Sequence, residues 1–169
     1  MPRTLSVSDS IVIAAEPQEL YDRISDPTAM GSWSPENQGA VVDGHDAGSP
    51  TGTVVGTSFV GTNRRGRATW VTRCTVTAAD PGRRFAFRVH RIGLRTPRLN
   101  ASIASWEYRF DADPTGGTRV VEVWTDDRRW PDALAAVFDR IATGGSSFAD
   151  FQRRNIASTL KRLKAVFEG

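Results

Sequence analysis

The middle of the chain alternates apolar and polar residues over several consecutive segments. Ala68, Trp70, Thr72, Cys74 and Val76 share one parity, with polar residues between them. Successive side chains of a strand point to opposite faces, so this spacing predicts strands with one buried face. Turn sequences such as 80–82 and 113–117 separate the segments, which favours an antiparallel sheet.

Helices are predicted on both sides of these central strands. The apolar positions of residues 5–13 predict a first strand, and Glu16-Pro17 then starts a short helix that Asp26-Pro27 ends. Residues 28–33 predict a second short helical turn. At the other end, Ile156, Leu160, Leu163 and Phe167 form one stripe of a long helix. An earlier stripe carries Leu134, Val137, Phe138 and Ile141, and Gly144-Gly145 either bends or interrupts the helix between the two.

Composition indicates a soluble globular protein. The 169 residues are 39% hydrophobic and 24% charged with a net charge of +3, which predicts one domain spanning residues 1–169. A lone Cys74 excludes an internal disulfide and fits a reducing compartment. No segment has the length of a signal peptide or a membrane span. We therefore expect a cytoplasmic protein with no transmembrane segment.

Three groups of residues resemble the polyketide cyclase/dehydrase-like proteins of actinobacteria, within the START-related (SRPBCC) superfamily. The first is Ile24-Ser25-Asp26-Pro27-Thr28, Met30-Gly31 and Trp33-Ser34-Pro35-Glu36, which is similar to their early helices. The second is Gly56-Thr57-Ser58-Phe59 with Gly61, Asn63, Arg65, Gly66 and Trp70, similar to their central hairpin. The third is Trp106-x-Tyr108-x-Phe110, Gly117-Thr118-Arg119-Val120 and Glu122, similar to their last hairpin.

This resemblance covers almost the whole chain and implies an α+β helix-grip fold. The expected architecture is a seven-stranded curved antiparallel sheet around a long C-terminal helix, with two short helices after the first strand. The expected function is binding of a small hydrophobic molecule, such as a lipid, polyketide or isoprenoid, between sheet and helix. One fold hosts many functions, so two alternatives stay open: a polyketide cyclase or dehydratase, and a ligand-free interaction or stress-related module.

Aromatic side chains on the inward faces are the candidate lining of a ligand pocket. Such pockets are mostly apolar with a few polar groups. The alternative is that the same rings only fill the core. We also expect Trp33 and residues 92–99 to gate the entrance. The candidate ligand-binding residues are Trp33, Trp70, Phe87, Trp106, Tyr108, Trp124, Phe148, Phe151 and Asn155.

Glu122 and Tyr108 are the candidates for moving protons if the protein is an enzyme. Glu122 shares parity with Val120 and Trp124, and an inward orientation would raise the pKa of its carboxyl. The other orientation places Glu122 outward, paired with an arginine such as Arg109. We favour the outward orientation, because carboxylates are rarely buried without a partner.

The remaining reactive side chains predict no metal site and no cofactor. His45 and His90 lack partners at ligand spacing, and Cys74 fits a small buried residue better than a nucleophile. The basic stretch Asn63–Arg67, with Arg83-Arg84, Arg95 and Arg98 as its extension, is interpreted as a solvated surface. We therefore expect no nucleic-acid partner. Monomer and homodimer both stay open.

Overall fold

A computed structural model describes residues 2–44 and 53–169. Seven strands within these ranges form one antiparallel sheet in the order β1-β7-β6-β5-β4-β3-β2. The strands are β1 (Ser6–Ile13), β2 (Asn37–Val42), β3 (Ser58–Arg65), β4 (Ala68–Asp80), β5 (Arg84–Gly93), β6 (Leu99–Ala112) and β7 (Thr118–Asp126). The helices are α1 (Pro17–Ile24), a 3₁₀ helix (Pro27–Ser32), α2 (Asp132–Thr143) and α3 (Phe148–Glu168). The predicted α+β helix-grip fold is confirmed.

Local sequence signals set the helix boundaries. Pro17 occupies the first turn of α1, and the Asp26 carboxylate caps the 3₁₀ helix by accepting from the Thr28 amide at 2.9 Å. Gly144 ends α2 with a φ of 73°, a conformation that favours glycine. Ser147 then caps α3 by accepting from the Asp150 amide at 3.1 Å. The C-terminal segment is therefore two helices rather than one bent helix.

Some predicted strand limits were wrong. The sequence of residues 54–62 predicts a strand, but residues 54–57 form a turn in which the Thr57 amide donates to the Val54 carbonyl at 3.1 Å, and β3 begins at Ser58. The predicted connection 92–99 is shorter than expected, because β5 reaches Gly93 and β6 begins at Leu99. A Cβ atom on Gly93 would lie 1.8 Å from the Thr96 carbonyl oxygen, so this tight turn requires glycine. The Gly-, Asp- and Pro-rich sequence of residues 44–52 predicts a loop, of which residues 45–52 lie outside the described ranges.

The core lies between the inner face of the sheet and α3. Ile156, Leu160 and Leu163 of α3 are fully buried, together with Phe59 and Phe85 of the sheet. The C-terminal half of α3 is fixed to β1, since the Lys164 ammonium donates to the Val12 carbonyl at 2.7 Å. The N-terminal half of α3 lies at the opposite end, which β7 and α2 approach.

A buried arginine joins β7, α2 and α3 at that end. The Arg128 guanidinium donates to the carboxylates of Asp126 and Asp139, at 2.7 Å in each case. The second oxygen of Asp139 accepts from the Phe148 amide at 3.1 Å, at the first turn of α3. The rings of Trp130, Phe138 and Phe148 lie within about 6 Å of the guanidinium. This cluster therefore sets where α2 lies and where α3 begins.

We expect Asp139→Ala to lower the free energy of unfolding by about 3 kcal/mol, because it removes one carboxylate from a buried arginine and one cap from α3. Urea unfolding followed by circular dichroism measures the change. Asp132→Ala is the matched control. The Asp132 side chain is 54% exposed, and its carboxylate lies 3.7 Å from the Arg3 guanidinium, a long distance for an ion pair. It should cost no more than about 1 kcal/mol. Equal effects of the two substitutions would contradict a structural role for the cluster.

Candidate functional site

The candidate site is the group of aromatic side chains where the inner face of the sheet meets the N-terminal half of α3. Trp106 of β6 pairs with Phe87 of β5 and with Trp124 of β7, which places all three on the inner face. Phe148 of α3 stacks on Trp124 with ring centroids 6.5 Å apart. Trp106 and Phe148 pack against the core but stay partly exposed to solvent. The aromatic packing is therefore incomplete at this end.

The other predicted aromatic residues divide into a buried and a partly open group. Phe87, Tyr108 and Trp124 are buried within the core, and Phe87 meets Phe59 edge to face at 5.3 Å. Trp70 and Phe151 remain partly exposed on the facing surfaces of β4 and α3. That a ligand contacts these residues stays a prediction for both groups. The open group is the one with apolar surface still accessible to a ligand.

Arg65 spans the gap between Trp70 and Phe151. Its guanidinium carbon lies 3.8 Å from the Phe151 ring centroid and 5.5 Å from that of Trp70. The same group donates to the Ala142 carbonyl at 2.8 Å and to the Glu36 carboxylate at 2.5 Å. The interpretation of Arg65 as part of a solvated tip was wrong. Its parity with Phe59 and Gly61 along β3 was the signal that places it on the inner face.

Two further predictions about this opening need correction. Trp33 does not stand at an entrance, since its indole is buried in the core. Arg83-Arg84 does not extend the basic tip, because Arg83 lies in the turn before β5 and Arg84 begins that strand, at the other end of the sheet. Asn155 is partly buried, and its amide donates to the Gln152 side chain on the preceding turn at 3.1 Å. Gln152 itself is buried and was missed by the sequence analysis.

Glu122 is buried, and the favoured outward orientation was wrong. Its side chain accepts from the Tyr108 hydroxyl at 2.9 Å, across the β6–β7 pair. Arg109, the expected outward partner, instead donates to Glu107 at 2.5 Å. Burial against the sheet is stable here because the tyrosine hydroxyl satisfies one carboxyl oxygen.

The environment of Glu122 keeps its proton on at neutral pH. Burial raises the pKa of the Glu122 carboxyl to about 8, with a smaller rise from Asp9 and an opposing effect of the Tyr108 hydrogen bond. Burial, and then the neighbouring Glu122, raise the pKa of Tyr108 well above its usual value. The site thus holds a carboxylic acid and a phenol that both carry protons at pH 7.

Two polar atoms of this cluster have no hydrogen-bond partner among the described residues. They are the second carboxyl oxygen of Glu122 and the indole nitrogen of Trp33. The Trp33 indole approaches the Tyr108 hydroxyl closely enough to lower its pKa, which places the three side chains together, but the contact falls short of a full hydrogen bond. The indole N–H and the free oxygen of the protonated Glu122 carboxyl can therefore both bind a further partner, either an ordered water or a polar group of a ligand.

Other reactive groups give no second chemical site in the part of the chain described. No three His, Cys, Asp or Glu side chains converge on a point there. His90 is hydrogen-bonded to Thr75 at 2.9 Å, and His45 lies outside the described residues. Burial raises the pKa of the Cys74 thiol to about 12, so it is no nucleophile at neutral pH. None of the described helices has enough apolar length to cross a bilayer.

A depression of about 340 Å³ lies across the middle of the sheet. Charged side chains surround it, among them Arg84, Arg88, Glu107 and Arg109. Each of these arginines is paired, with Glu107 or with Asp127. Its polar, salt-bridged lining does not match an apolar ligand, so we place the candidate site on the inner face.

Comparison with known proteins agrees with the observed fold. The family described as polyketide cyclase/dehydrase and lipid transport matches residues 4–168. A START superfamily protein from Mycobacterium smegmatis shares the fold with a TM-score of 0.69 at 11% identity, covering 98% of both chains. A polyketide-cyclase-like protein from Corynebacterium glutamicum is 29% identical, with a TM-score of 0.55, covering 99% of this chain and 92% of that one.

A protein from a biosynthetic pathway is a further structural neighbour. The di-domain ARO/CYC StfQ from the steffimycin biosynthetic pathway has a TM-score of 0.65 at 14% identity. The match covers 97% of this chain and 50% of StfQ. At this identity the likeness concerns the fold alone. No curated protein matches the sequence.

The raised pKa of Glu122 predicts a stability that falls as pH rises from 5 to 8. The unfolded chain loses this proton near 4.5, whereas the folded chain holds it to about pH 8. Between these values the folded state binds one more proton, so rising pH favours unfolding, by about 2–4 kcal/mol in total. Glu122→Gln keeps an acceptor for Tyr108 and should remove this loss, measured by urea unfolding at pH 5.5 and 8.

Glu107→Gln is the control for this measurement. Although partial burial acts to raise it, hydrogen bonds from Arg109 and Arg84 lower the pKa of Glu107 below its usual value. That carboxyl therefore stays ionised across the window and should leave the slope unchanged. If Glu122→Gln keeps the wild-type slope, the carboxyl is not protonated in the folded state.

Proposed function

The chain belongs to the polyketide cyclase/dehydrase and lipid transport family, and on that premise we propose that it binds a small hydrophobic molecule between the sheet and α3. The observation that carries this proposal is the set of partly exposed aromatic rings on facing inner surfaces. These rings belong to Trp70, Trp106, Phe148 and Phe151. A lipid, polyketide or isoprenoid chain placed among them would complete their burial.

The physical basis is the apolar surface that these rings leave open. Burial of apolar area contributes about 25 cal/mol per Å² before the cost of association. Flat rings also stack on unsaturated or fused-ring ligands, which adds about 1 kcal/mol per good contact. Arg65 lies over Phe151 at the outer edge and is held by Glu36 and the end of α2. We infer that a ligand enters past this side chain.

The polar cluster of Glu122, Tyr108 and Trp33 supports a ligand with at least one oxygen. A protonated Glu122 and the Trp33 indole both offer hydrogens to a carbonyl or hydroxyl oxygen. An entirely aliphatic ligand would leave them unsatisfied at a cost of about 1–3 kcal/mol each. We therefore favour an oxygenated ligand, such as a fatty acid, polyketide or isoprenoid alcohol.

We further propose that residues 1–169 act as a single domain, and that the protein works in the cytoplasm. The continuous sheet and its cover by α3 support the first statement. An unpaired buried Cys74 supports the second, since thiols stay reduced there. The alternative of a ligand-free interaction module predicts that the protein is isolated without a hydrophobic ligand and binds none when one is added.

Trp70→Ala and Phe151→Ala should each weaken binding of the neutral fluorescent probe N-phenyl-1-naphthylamine by about tenfold, because each removes a ring from the open side of the site. A fluorescence titration measures the dissociation constants. Val41→Ala is the matched control, an exposed apolar residue of β2 that should bind the probe as the wild type does. No binding of the probe by the wild-type protein at micromolar concentrations would contradict the proposal.

An enzyme of the cyclase or dehydratase type is the second candidate function. The observation that favours it is the buried pair of Glu122 and Tyr108, whose carboxyl pKa of about 8 suits proton transfer near neutral pH. In such a reaction the walls would hold a flexible chain in one conformer. Glu122 would then give its proton to a carbonyl or leaving hydroxyl oxygen and take one back from the substrate carbon.

Glu122→Gln and Tyr108→Phe distinguish catalysis from binding. If the protein is an enzyme, Glu122→Gln should lower the conversion of a linear polyketide analogue by about 10²-fold or more, while binding of N-phenyl-1-naphthylamine is retained. Tyr108→Phe should shift the pH dependence of the reaction, since it removes the hydrogen bond to Glu122. A pure binding protein would show no turnover in any variant and unchanged probe affinity.

A further inference from the structure

Helix α2 turns an apolar stripe toward solvent. Its four members follow the i, i+3, i+4, i+7 spacing, and Ile141 is 78% exposed. The helix is anchored by a different side, on which Ala135 and Asp139 are buried. At 3.6 residues per turn the two sides lie about 120° apart. The exposed stripe consists of Leu134, Val137, Phe138 and Ile141.

Further exposed apolar residues lie at the same end of the molecule. The turn between β5 and β6 carries Leu94, 82% exposed, and Leu99, 68% exposed. Strand register places this turn beside the β3–β4 turn, since Gly93 pairs with Val71. The chain also leaves β7 at this end, and α2 reaches across to Arg65. We call the stripe together with Leu94 and Leu99 the α2 surface.

Arginines without acidic partners surround the α2 surface. Within the described ranges, none of the five forms an ion pair, and all five are exposed. Several other arginines are neutralised, as when Arg84 and Arg109 bind Glu107 and Arg119 binds Asp113. Exposed arginines without an ion pair in the described ranges also lie on other surfaces, for example Arg83 and Arg162. What distinguishes the α2 surface is that such arginines lie around exposed apolar side chains. The five are Arg67, Arg95, Arg98, Arg129 and Arg140.

We propose that the α2 surface docks on an anionic lipid bilayer. Apolar side chains flanked by cations are the combination that holds a helix in the headgroup region of an anionic bilayer. Trp130 supports this placement, because it is partly exposed and packs edge to face on Phe138 at 5.2 Å. Tryptophan is enriched at the membrane–water boundary.

Two other occupants fit this surface less well. A second copy of the chain would bring the same arginine rim against itself across a two-fold axis, which is repulsive. A nucleic acid would satisfy the arginines and could stack on Phe138, but it would leave the aliphatic side chains of Leu134, Val137 and Ile141 without apolar partners. This inference does not require the proposed function, because it concerns a surface and not the interior.

Co-sedimentation with sonicated vesicles tests the proposal. The wild-type protein should sediment with vesicles of phosphatidylcholine and phosphatidylglycerol, and much less with phosphatidylcholine alone. Val137→Gln with Ile141→Gln should weaken partitioning at least about tenfold while keeping helix propensity. Arg95→Gln with Arg98→Gln should also weaken it about tenfold, and added salt should reduce the wild type toward that level.

Matched double variants on other surfaces serve as controls. Val41→Gln with Val166→Gln removes two exposed valines, and Arg83→Gln with Arg162→Gln removes two exposed charges, all away from α2. Both control proteins should sediment as the wild type does. The proposal is overturned if the wild type ignores anionic vesicles, or if the controls and the α2 variants lose binding equally.

Two further measurements separate the alternatives. Ile141→Cys, labelled with a polarity-sensitive dye in a Cys74→Ser background, should show a blue shift with anionic vesicles. Analytical ultracentrifugation of the protein alone should give one species that Val137→Gln with Ile141→Gln does not alter. A dimer that this variant dissociates, or preferential binding to an oligonucleotide, would overturn the proposal. Unchanged N-phenyl-1-naphthylamine binding by the α2 variants keeps this outcome distinct from failure of the proposed function.

Discussion

The geometry of the open end depends on a single buried guanidinium. Arg128 lies between the carboxylates of Asp126 and Asp139, so the end of β7 and the middle of α2 share one charge. Because Asp139 also caps α3 at Phe148, the position of the ring that closes the aromatic cluster follows from the same contact. Removing one partner would leave a charge without compensation in a poorly solvated place, which is why such a cluster tolerates little change. The outward direction of the α2 stripe is a consequence of this anchoring.

A second constraint lies inside the core, where a carboxyl group is kept at the expense of stability above pH 5. Replacing Glu122 by a hydrophobic residue would remove the desolvation cost, yet the sheet retains it beside Tyr108 and Trp33. One of its own carboxyl oxygens and the Trp33 indole nitrogen have no full hydrogen bond within the described chain. Unsatisfied groups of this kind are costly in a core that serves only for packing. An oxygen of the proposed ligand would supply the missing partner, which links the cluster to the proposed binding.

Strand alternation predicted the inner and outer faces well, because side-chain direction in a strand follows from backbone geometry alone. It placed Trp70, Trp106 and Trp124 on one surface, and it also placed Glu122 there. The outward orientation of Glu122 was favoured because its residue type was weighed above its parity. The Tyr108 hydroxyl reduces the cost of burying Glu122, but it comes from a neighbouring strand whose register the sequence does not give. The prediction for Arg65 was wrong for a related reason. The turn sequence was assumed to include the last residues of β3, so Arg65 was assigned to a solvated surface. Arg65 has four partners, and three of them, Glu36, Ala142 of α2 and Phe151 of α3, are connected to it by no local sequence pattern.

Periodicity alone does not show whether the apolar stripe of a helix faces the core or solvent, and the α2 stripe is an example. The spacing of Leu134, Val137 and Ile141 is the one that normally packs on a core, and only the anchoring of Ala135 and Asp139 decides that it faces solvent instead. That same anchoring places the stripe next to Arg65, at the edge of the partly open rings. On our two proposals together, a ligand that moves past Arg65 would pass directly between the site and lipid. Exposing a hydrophobic chain to water costs about 0.8 kcal/mol per methylene group, so a route that avoids water lowers the barrier for exchange. On this view there is a physical reason for the proposed entrance and the proposed docking surface to lie at the same end. If they lay at different ends, the ligand would have to cross water between the lipid and the site.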